Sequence, residues 1–254
     1  MRLDKLLVER GLAPSRERAQ ALILAGRILV DEQKLEKAGA AVDQNAPIRI
    51  LGDDLPFVSR GGLKLARALE HWHIDITGKV CLDIGASTGG FTDCLLQAGA
   101  GHVIAVDTGR GQMDAKLRND PRVRLLEKTN ARYLTPQQIW SDAPATPIPL
   151  VAMDVSFISA RLVLPAVVRT VRSSSPHFEL VVLVKPQFEV GRKQVGKGGI
   201  VRDPEAQRRA LANVAKAVED LGGYAVEAID SPILGAEGNR EFLLHARFLF
   251  TPEP

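Results

Sequence analysis

The segment at residues 79–92, KVCLDIGASTGGFT, constrains the fold of this chain more than any other part of its sequence. Its apolar run predicts a strand that is buried on both faces, as the strands of parallel sheets are. Glycines follow this strand at once, and the apolar spacing of residues 91–98 predicts a helix. A second strand pattern ends at Asp107, which lies 22 residues beyond Gly85. The segment therefore predicts a βαβ unit that ends in an acid able to accept both ribose hydroxyls of an adenosine ligand.

The glycine turn differs from the fingerprint of dinucleotide-binding proteins. A Gly-x-Gly-x-x-Gly spacing that starts at Gly85 meets Ser87 before it reaches Gly90, so phosphate binding is not the predicted task of the turn. An acid before the first glycine and a Ser-Thr pair inside the turn resemble the S-adenosylmethionine loop of class I methyltransferases, which binds a cationic cofactor without phosphate. A generic turn between a strand and a helix is the alternative.

The resemblance to this loop implies a set of cofactor contacts at the turn and at the neighbouring strand ends. In this set Ser87 and the glycines surround the methionine part, Asp107 holds the ribose, and Asn130 meets the edge of the adenine. The complete implied set is Asp83, Gly85, Ser87, Thr88, Gly89, Gly90, Phe91, Asp107, Asn130 and Asp154.

Composition argues against several other classes of protein. Hydrophobic residues make up 45% of the 254 residues, and no apolar run approaches the roughly 20 residues of a membrane-spanning helix. The start of the chain lacks the apolar centre of a signal peptide, so we expect a cytoplasmic protein without membrane partners. Two cysteines and five histidines show no metal-ligand spacing, so we expect no metal. The sequence carries no signal for an oligomeric state.

Residues 1–52 have the pattern of a small separate α+β domain. Two short amphipathic helices, the second capped by Ser15 and ended by Gly26, precede strands at residues 28–30 and 48–51. Residues 1–27 hold six basic side chains against three acidic ones, whereas the net charge of the whole chain is only +3. The positive charge is therefore concentrated in this segment.

The stretch RLDKLLVERGLAPSRERAQALILAGRILV resembles the RNA-binding module named after ribosomal small-subunit protein four. Asp31-Glu32 stands where that module usually has an Asn-Gly turn. The resemblance implies that two short helices present basic side chains to structured RNA, and contacts to phosphates position RNA without reading its sequence. A solvated charged surface on a small helical domain is the alternative. The implied RNA contacts of this module are Arg2, Lys5, Arg16, Arg18 and Arg27.

Residues 53–60, DDLPFVSR, predict a linker to a second domain at residues 61–254. That domain begins with a predicted helix at residues 61–72 and then alternates between strands and helices. Such alternation predicts an α/β fold with a mostly parallel, doubly wound sheet, whose ligands bind at the carboxyl ends of the strands. After the βαβ unit, strands are predicted at 122–126, 150–153, 179–184, 224–229 and 241–250, and helices at 158–171 and 204–221.

Charged residues collect at the predicted strand ends, where Asp83, Asp107, Asp154 and Lys185 are expected to share one edge of the sheet. For any one of them, a solvated terminal charge is the alternative. From about residue 57 onward the chain resembles the FtsJ-like ribose 2′-O-methyltransferases. With the module in front, it is similar to the TlyA (hemolysin A) family of ribosomal-RNA methyltransferases. The stretches that carry this resemblance are FVSRGGLKL, CLDIGASTGGFTD, VIAVDTGRGQM, KTNAR, MDVSFIS, LVKPQFE, GKGGIVRD and GNREF.

This resemblance implies a class I methyltransferase fold with an antiparallel last strand, and methylation of a ribose 2′-hydroxyl, that of a cytidine, in ribosomal RNA or ribosomal subunits. It also implies a catalytic set of Lys64, Asp154, Lys185 and Glu241. A 2′-hydroxyl is a poor acid that must meet the methyl group in line, so positioning and proton removal both matter. We assign Lys185 as the base. The alternative is that Lys185 stays charged and only orients the hydroxyl, with the proton lost late to water.

A second basic region follows Lys185. Between residues 185 and 209, seven basic side chains stand against three acidic ones, and glycines recur at 191, 196, 198 and 199. We expect the stretch between residues 185 and 209 to be mobile until RNA orders it, and a flexible surface loop is the alternative. Residues 191–203 of this stretch are named the glycine-rich segment. The RNA contacts predicted for this domain are Arg60, Arg192, Lys193 and Lys197.

Two other functions compete with ribose methylation. One is a pore-forming hemolysin, which the absence of a long apolar run and of a signal peptide argues against. The other is a catalytically idle RNA-binding factor for ribosome assembly, which the presence of the complete catalytic set argues against. Base methylation is disfavoured as well, because neither Cys81 nor Cys94 stands at a predicted strand end where it could attack a base.

Overall fold

The computed structural model describes residues 1–13, 15–24, 26–50, 56–140, 145–191, 194–235 and 237–250. The chain divides into two compact units, Met1–Asp54 and Leu55–Pro254. The predicted boundary at residue 52 and the first part of the predicted linker lie outside the described residues, whereas residues 56–60 form bends and a turn.

The first unit packs two helices on a small antiparallel sheet. Helices α1 (Leu3–Glu9) and α2 (Arg16–Leu24) precede strands β1 (Ile28–Val30), β2 (Gln33–Lys34) and β3 (Ile48–Ile50), which are ordered β2-β1-β3. Apolar residues at helical spacing, among them Leu3, Leu7 and Ile23, are completely buried against Ile28. The unit therefore has a hydrophobic core of its own.

Strands β1 and β2 form a two-residue hairpin that closes on Asp31 and Glu32. Val30 pairs with Gln33, and both turn residues have positive φ angles, 51° and 60°. This is the backbone that the Asn-Gly turn of similar modules adopts readily, because Asn and Gly tolerate the left-handed region. The hairpin thus forms here without the favoured residues.

The second unit alternates between strands and helices, with 3₁₀ turns at Ala131–Tyr133 and Lys197–Gly199. Its strands are β4 (Val80–Ile84), β5 (His102–Val106), β6 (Val123–Leu126), β7 (Leu150–Met153), β8 (His177–Val184), β9 (Gly223–Asp230) and β10 (Phe242–Leu249). Its helices are α3 (Gly61–His71), α4 (Gly90–Gln97), α5 (Ala115–Arg118), α6 (Pro136–Trp140), α7 (Ala160–Arg172), α8 (Pro186–Glu189) and α9 (Pro204–Asp220).

The seven strands form one sheet in the order β6-β5-β4-β7-β8-β10-β9. Strands β6, β5, β4, β7 and β8 are parallel, and β10 runs antiparallel to both β8 and β9. The chain leaves β4 in one direction along the sheet and returns at β7 on its other side. The predicted fold class is confirmed, and the switch point between β4 and β7 is where doubly wound sheets bind ligands.

Both faces of the sheet are covered by helices. Along β4, Leu82 and Ile84 face the core that contains α7 and α9, whereas Cys81 faces the core that contains α3 and α4. This alternation follows from the period of two along a strand. Within the described residues, no helix is both long enough and apolar enough to cross a membrane.

Helix α7 begins later than the sequence predicts. The pattern indicates a start at residue 158, but the helix begins at Ala160. Ser159 has an extended backbone, with a ψ of 133°, which a right-handed helix cannot include. The amide of Ala160, the first helical residue, donates to the buried carboxylate of Glu189, so a distant acid satisfies the first turn of this helix.

Candidate active site

The register of the sheet brings three predicted catalytic residues to one edge. Asp154 follows β7 directly and Lys185 follows β8 directly. Phe242, the first residue of β10, pairs with Val184, so Glu241 comes next to Lys185 across the antiparallel pair. The amide of Asp154 donates to Ile84 O at 2.8 Å, which holds this residue beside the glycine turn.

Four charged side chains form two ion pairs at this edge. Lys64 of helix α3 lies 2.6 Å from Glu241, and these side chains are only 10% and 3% exposed. Lys185 lies 2.6 Å from Asp154, with side chains 12% and 19% exposed. Lys64 and Glu241, the less exposed pair, need each other because an unpaired buried charge is costly. Each lysine is therefore held in place by one carboxylate.

Both ion pairs line one cavity of about 390 Å³. Besides its ion pair with Asp154, Lys185 donates a hydrogen bond to Ser156 Oγ at 2.7 Å. Phe157 is 93% exposed, and its ring lies 5.5 Å from the ring of Phe188, which lines the same cavity. Exposed aromatic faces of this kind stack on nucleobases. The cavity combines paired charges with an apolar face.

A second cavity of about 270 Å³ shares Gly85, Ser87, Asp154, Ser156 and Phe157 with the first. Its described lining also includes an acid, Asp107, and contains no lysine, arginine or histidine. One oxygen of Asp107 accepts from the Ser87 amide at 2.8 Å and the other from the Gly109 amide at 2.6 Å. Because each carboxylate oxygen has two lone pairs, both can accept a further donor.

The glycine turn lies between the two cavities. Gly85 has a φ of +88°, and a Cβ on it would lie 2.3 Å from the carbonyl oxygen of Asp154, so only glycine fits. The predicted contacts Thr88, Gly90 and Phe91 line the first cavity. Asn130 lines the second, and its side-chain oxygen accepts from the Arg132 amide at 3.0 Å. Gly89 is not among the lining residues of either cavity.

Asp83 lies beneath the turn. It is the second-last residue of β4, so its side chain faces helix α4, where it is completely buried and accepts a bond from the Thr92 hydroxyl at 2.6 Å. Its other oxygen has no partner within the described residues. Burial raises the pKa of Asp83 to about 7 against the effect of the Thr92 bond, and the charge of Asp154 raises it further. Asp83 therefore lines neither cavity.

Comparisons with known proteins agree with this geometry. Residues 57–248 match the family model of the FtsJ-like methyltransferases. The chain belongs to this family. Residues 1–48 match the model of the S4 domain, so the sequence-based family prediction is confirmed.

Individual relatives of this methyltransferase extend over nearly its whole length. The 16S/23S rRNA (cytidine-2′-O)-methyltransferase TlyA of Mycobacterium tuberculosis (strain H37Rv) is 47% identical over 97% of this chain and 89% of the relative. Hemolysin A of Brachyspira hyodysenteriae is 39% identical over 96% of this chain and 99% of the relative. A solved structure of a candidate hemolysin from Streptococcus thermophilus is 39% identical and has a TM-score of 0.76. The match covers 99% of this chain and 90% of the chain in that structure.

The basic residues of the S4 domain surround a buried acid. Asp4 is completely buried and accepts from Arg2 at 2.9 and 3.0 Å, from Arg16 at 3.0 Å and from Gln20 at 3.0 Å. The bond from Arg2, followed by that from Gln20, holds the pKa of Asp4 well below its usual range. Arg2 and Arg16 thus hold the fold as well as presenting charge.

The other predicted RNA contacts of the methyltransferase differ in their surroundings. Lys5 is exposed, and Arg18 and Arg27 are partly buried. Arg60 is exposed and lines the first cavity, and Lys197 is exposed in the glycine-rich segment. Arg192 and Lys193 lie outside the described residues.

Sequence reasoning missed four residues that shape the site. Ser156 contacts Lys185, and Phe157 lies at the first cavity. Glu189 accepts from the Ser159 hydroxyl and the Ala160 amide, both at 2.6 Å, and so ties α8 to the loop after Asp154. Asn239 is 1% exposed and bonds two loops together. All four stand inside the stretches that carry the family resemblance, which was the only signal for them in the sequence.

Proposed function

We propose that this chain transfers a methyl group from S-adenosylmethionine to the ribose 2′-hydroxyl of a cytidine in ribosomal RNA. The observation that carries the proposal is the pair of lysine–carboxylate contacts, Lys64 with Glu241 and Lys185 with Asp154, around one cavity beside the glycine turn. Two cationic groups held in fixed positions suit a reaction that depends on orienting a weakly acidic hydroxyl. The activity of the Mycobacterium tuberculosis relative supports the same substrate.

The second cavity fits the cofactor by its chemistry. Its two acids, Asp107 and Asp154, suit a cationic ligand, and its described lining offers no basic side chain for a phosphate. Asp107 would hold the ribose, Asn130 the adenine edge, and the turn from Gly85 to Gly90 the methionine part. When bound, S-adenosylmethionine supplies a methyl group activated by its sulfonium centre.

In the mechanism we propose, Lys185 contacts the 2′-hydroxyl oxygen. An ammonium group has three N–H donors; Lys185 donates one of them to Ser156, and Asp154 lies 2.6 Å from the same nitrogen as its ion-pair partner. A remaining N–H can bind the hydroxyl and align its oxygen. The hydroxyl proton would then be lost late to water, and the cofactor would leave as S-adenosylhomocysteine. This geometry favours an orienting Lys185 over a basic one, because Asp154 and Ser156 hold its nitrogen as ion-pair partner and hydrogen-bond acceptor. Lys64, held by Glu241, completes the positive surface around the hydroxyl.

The decisive experiment maps the label in RNA after incubation of the protein with intact ribosomal subunits and labelled S-adenosylmethionine. We expect the modified nucleotide to resist alkaline cleavage, because cleavage needs the free 2′-hydroxyl as its nucleophile. Naked RNA serves as the parallel substrate and shows whether assembly is required. Labelled RNA that alkali still cleaves at the modified position would contradict ribose methylation.

Asp107 provides the test of the cofactor site. Asp107→Ala should weaken S-adenosylmethionine binding by about 1.5–3 kcal/mol for each hydrogen bond lost from the carboxylate, measured by calorimetry. Asp107→Asn, which keeps one acceptor, should lose less. Asp120→Ala is the matched control, because Asp120 is an acid paired with Arg122 before β6, at the other end of the parallel strands. Unchanged affinity in Asp107→Ala would remove this residue from the site.

We also propose a division of labour, in which residues 1–52 bind RNA and residues 61–254 carry out the transfer. Removal of residues 1–52 should leave cofactor affinity unchanged and lower RNA affinity. In the full chain, Lys5→Ala with Arg18→Ala should reduce the slope of log affinity against log salt by about 0.7–0.9 for each lost phosphate contact.

Arg16→Ala is the informative comparison for this division. Arg16 bonds the buried Asp4, so its loss should lower the thermal stability of the S4 domain, whereas Arg18 makes no ion pair within the described part of the chain. If removal of residues 1–52 left the salt slope unchanged, the RNA-binding assignment of this domain would be wrong.

Ribosomal RNA as the substrate supports the cytoplasm as the site of the reaction.

A further inference from the structure

The side chain of Asn239 joins the glycine-rich segment to the loop before β10. Its Oδ1 accepts from the Val201 amide at 2.9 Å, and its Nδ2 donates to Gly199 O at 2.9 Å. Asn239 and Val201 are each only 1% exposed. A carboxamide offers a donor and an acceptor at the same time, which a carboxylate or a hydrophobic side chain of this size does not. The segment is therefore held by both kinds of hydrogen bond.

The backbone of Asn239 closes the turn against which Glu241 packs. Its carbonyl accepts from the Gly235 amide at 2.8 Å, and the Gly238 amide donates to Gly235 O at 2.9 Å. Gly235 is buried, and a Cβ on it would lie 2.5 Å from Glu241 Oε1. A displacement of this turn therefore displaces the carboxylate that holds Lys64.

We propose that Asn239 is a positioning residue that sets the glycine-rich segment and Glu241 in one arrangement. RNA phosphates held by the exposed Lys197 and Arg202 of the segment are thereby placed in register with Lys64, the partner of Glu241. This inference rests on the proposed function. A positioning role for Asn239 differs from a purely structural one, because both RNA binding and turnover then depend on the carboxamide of this residue.

Gln207 provides a matched control. Its Nε2 donates to Val201 O at 2.7 Å, so it also holds the glycine-rich segment, but it lies on α9 and has no described bond to the turn before β10. Loss of Gln207 should loosen the segment alone. Loss of Asn239 should loosen the segment and shift Glu241.

The experiment measures steady-state methylation of ribosomal subunits by the full chain. Asn239→Ala should raise KM for RNA about tenfold, as expected when a buried group loses its hydrogen bonds. It should also lower kcat on the order of 10²-fold, the cost of a small misplacement at a reacting centre. Gln207→Ala should raise KM similarly and leave kcat unchanged. Asn239→Asp keeps the bond from the Val201 amide but sets a buried carboxylate oxygen against Gly199 O, so its effects on KM and kcat should be at least as large as those of Asn239→Ala.

The dependence on Glu241 is tested in a Glu241→Gln background by single-turnover kinetics. There, Asn239→Ala should still weaken RNA binding but should lower the rate no further. An unchanged kcat in Asn239→Ala, an equal loss of kcat in Gln207→Ala, or a full additional loss in the Glu241→Gln background would each overturn the inference. Cofactor affinity measured by calorimetry verifies that each variant is folded. If Asn239→Ala does not fold, the same criteria for KM and kcat are applied to Asn239→Asp. An unsubstituted chain that transfers no methyl group to RNA would instead refute the proposed function.

Discussion

Lys185→Met is expected to lower methyl-transfer turnover on the order of 10²-fold or more, because the reacting hydroxyl loses the contact that aligns it. Methionine keeps much of the length of the side chain but cannot donate to Asp154, Ser156 or the hydroxyl. Lys185 and Asp154 are 12% and 19% exposed and line the first cavity. Water in this cavity can therefore solvate the carboxylate of Asp154 after Lys185 is replaced. The fold and the cofactor affinity should therefore persist.

Three companion variants make this test specific. Ser156→Ala removes one partner of Lys185 and should produce a smaller loss, whereas Lys216→Met removes an exposed lysine of α9 that lines neither cavity and should leave kcat unchanged. Lys185→Arg keeps the charge but not the geometry, and should not restore the rate. Near-normal turnover in Lys185→Met, measured with saturating RNA and cofactor, would refute the mechanism.

Glu241→Ala is expected to destabilise the second unit by about 3–5 kcal/mol, because it leaves Lys64 as a buried charge without its partner. For a domain of this size the thermal midpoint should fall by about 6–20 °C. Because Glu241 holds Lys64 at 2.6 Å beside the first cavity, we expect turnover to fall as well.

A double substitution separates stability from catalysis at this pair. Lys64→Met with Glu241→Leu replaces two buried charges by apolar side chains, and should recover most of the lost stability without recovering turnover. Asp220→Ala is the control, since Asp220 pairs with Lys216 on the surface, where both side chains are more than 60% exposed and such a pair contributes about 0–1 kcal/mol. Recovery of methyl transfer in the double variant would remove the Lys64–Glu241 pair from the mechanism.

The sequence by itself determined the fold class and predicted which charged residues follow the buried strands. The apolar run before Gly85 and the spacing to Asp107 predict a βαβ unit through local patterns alone. Asp154 and Lys185 were correctly placed after strands β7 and β8, because short apolar runs that end in a charge mark the ends of buried strands. Parallel strands carry their ends to one edge, so residues distant in the sequence were expected there together.

Only the tertiary structure decided which charges pair and which side chains lie at the surface. The contact of Lys64 with Glu241 spans 177 residues and depends on how α3 packs beside the antiparallel β10. Asp83 lies under α4 instead of at the edge, because β4 continues one residue beyond it and its side chain alternates inward. The exposure of Phe157 and the bonds of Asn239 depend on loop conformations set by distant partners. Local periodicity carries no information about such contacts, because they depend on the register of the sheet and on the packing of the helices.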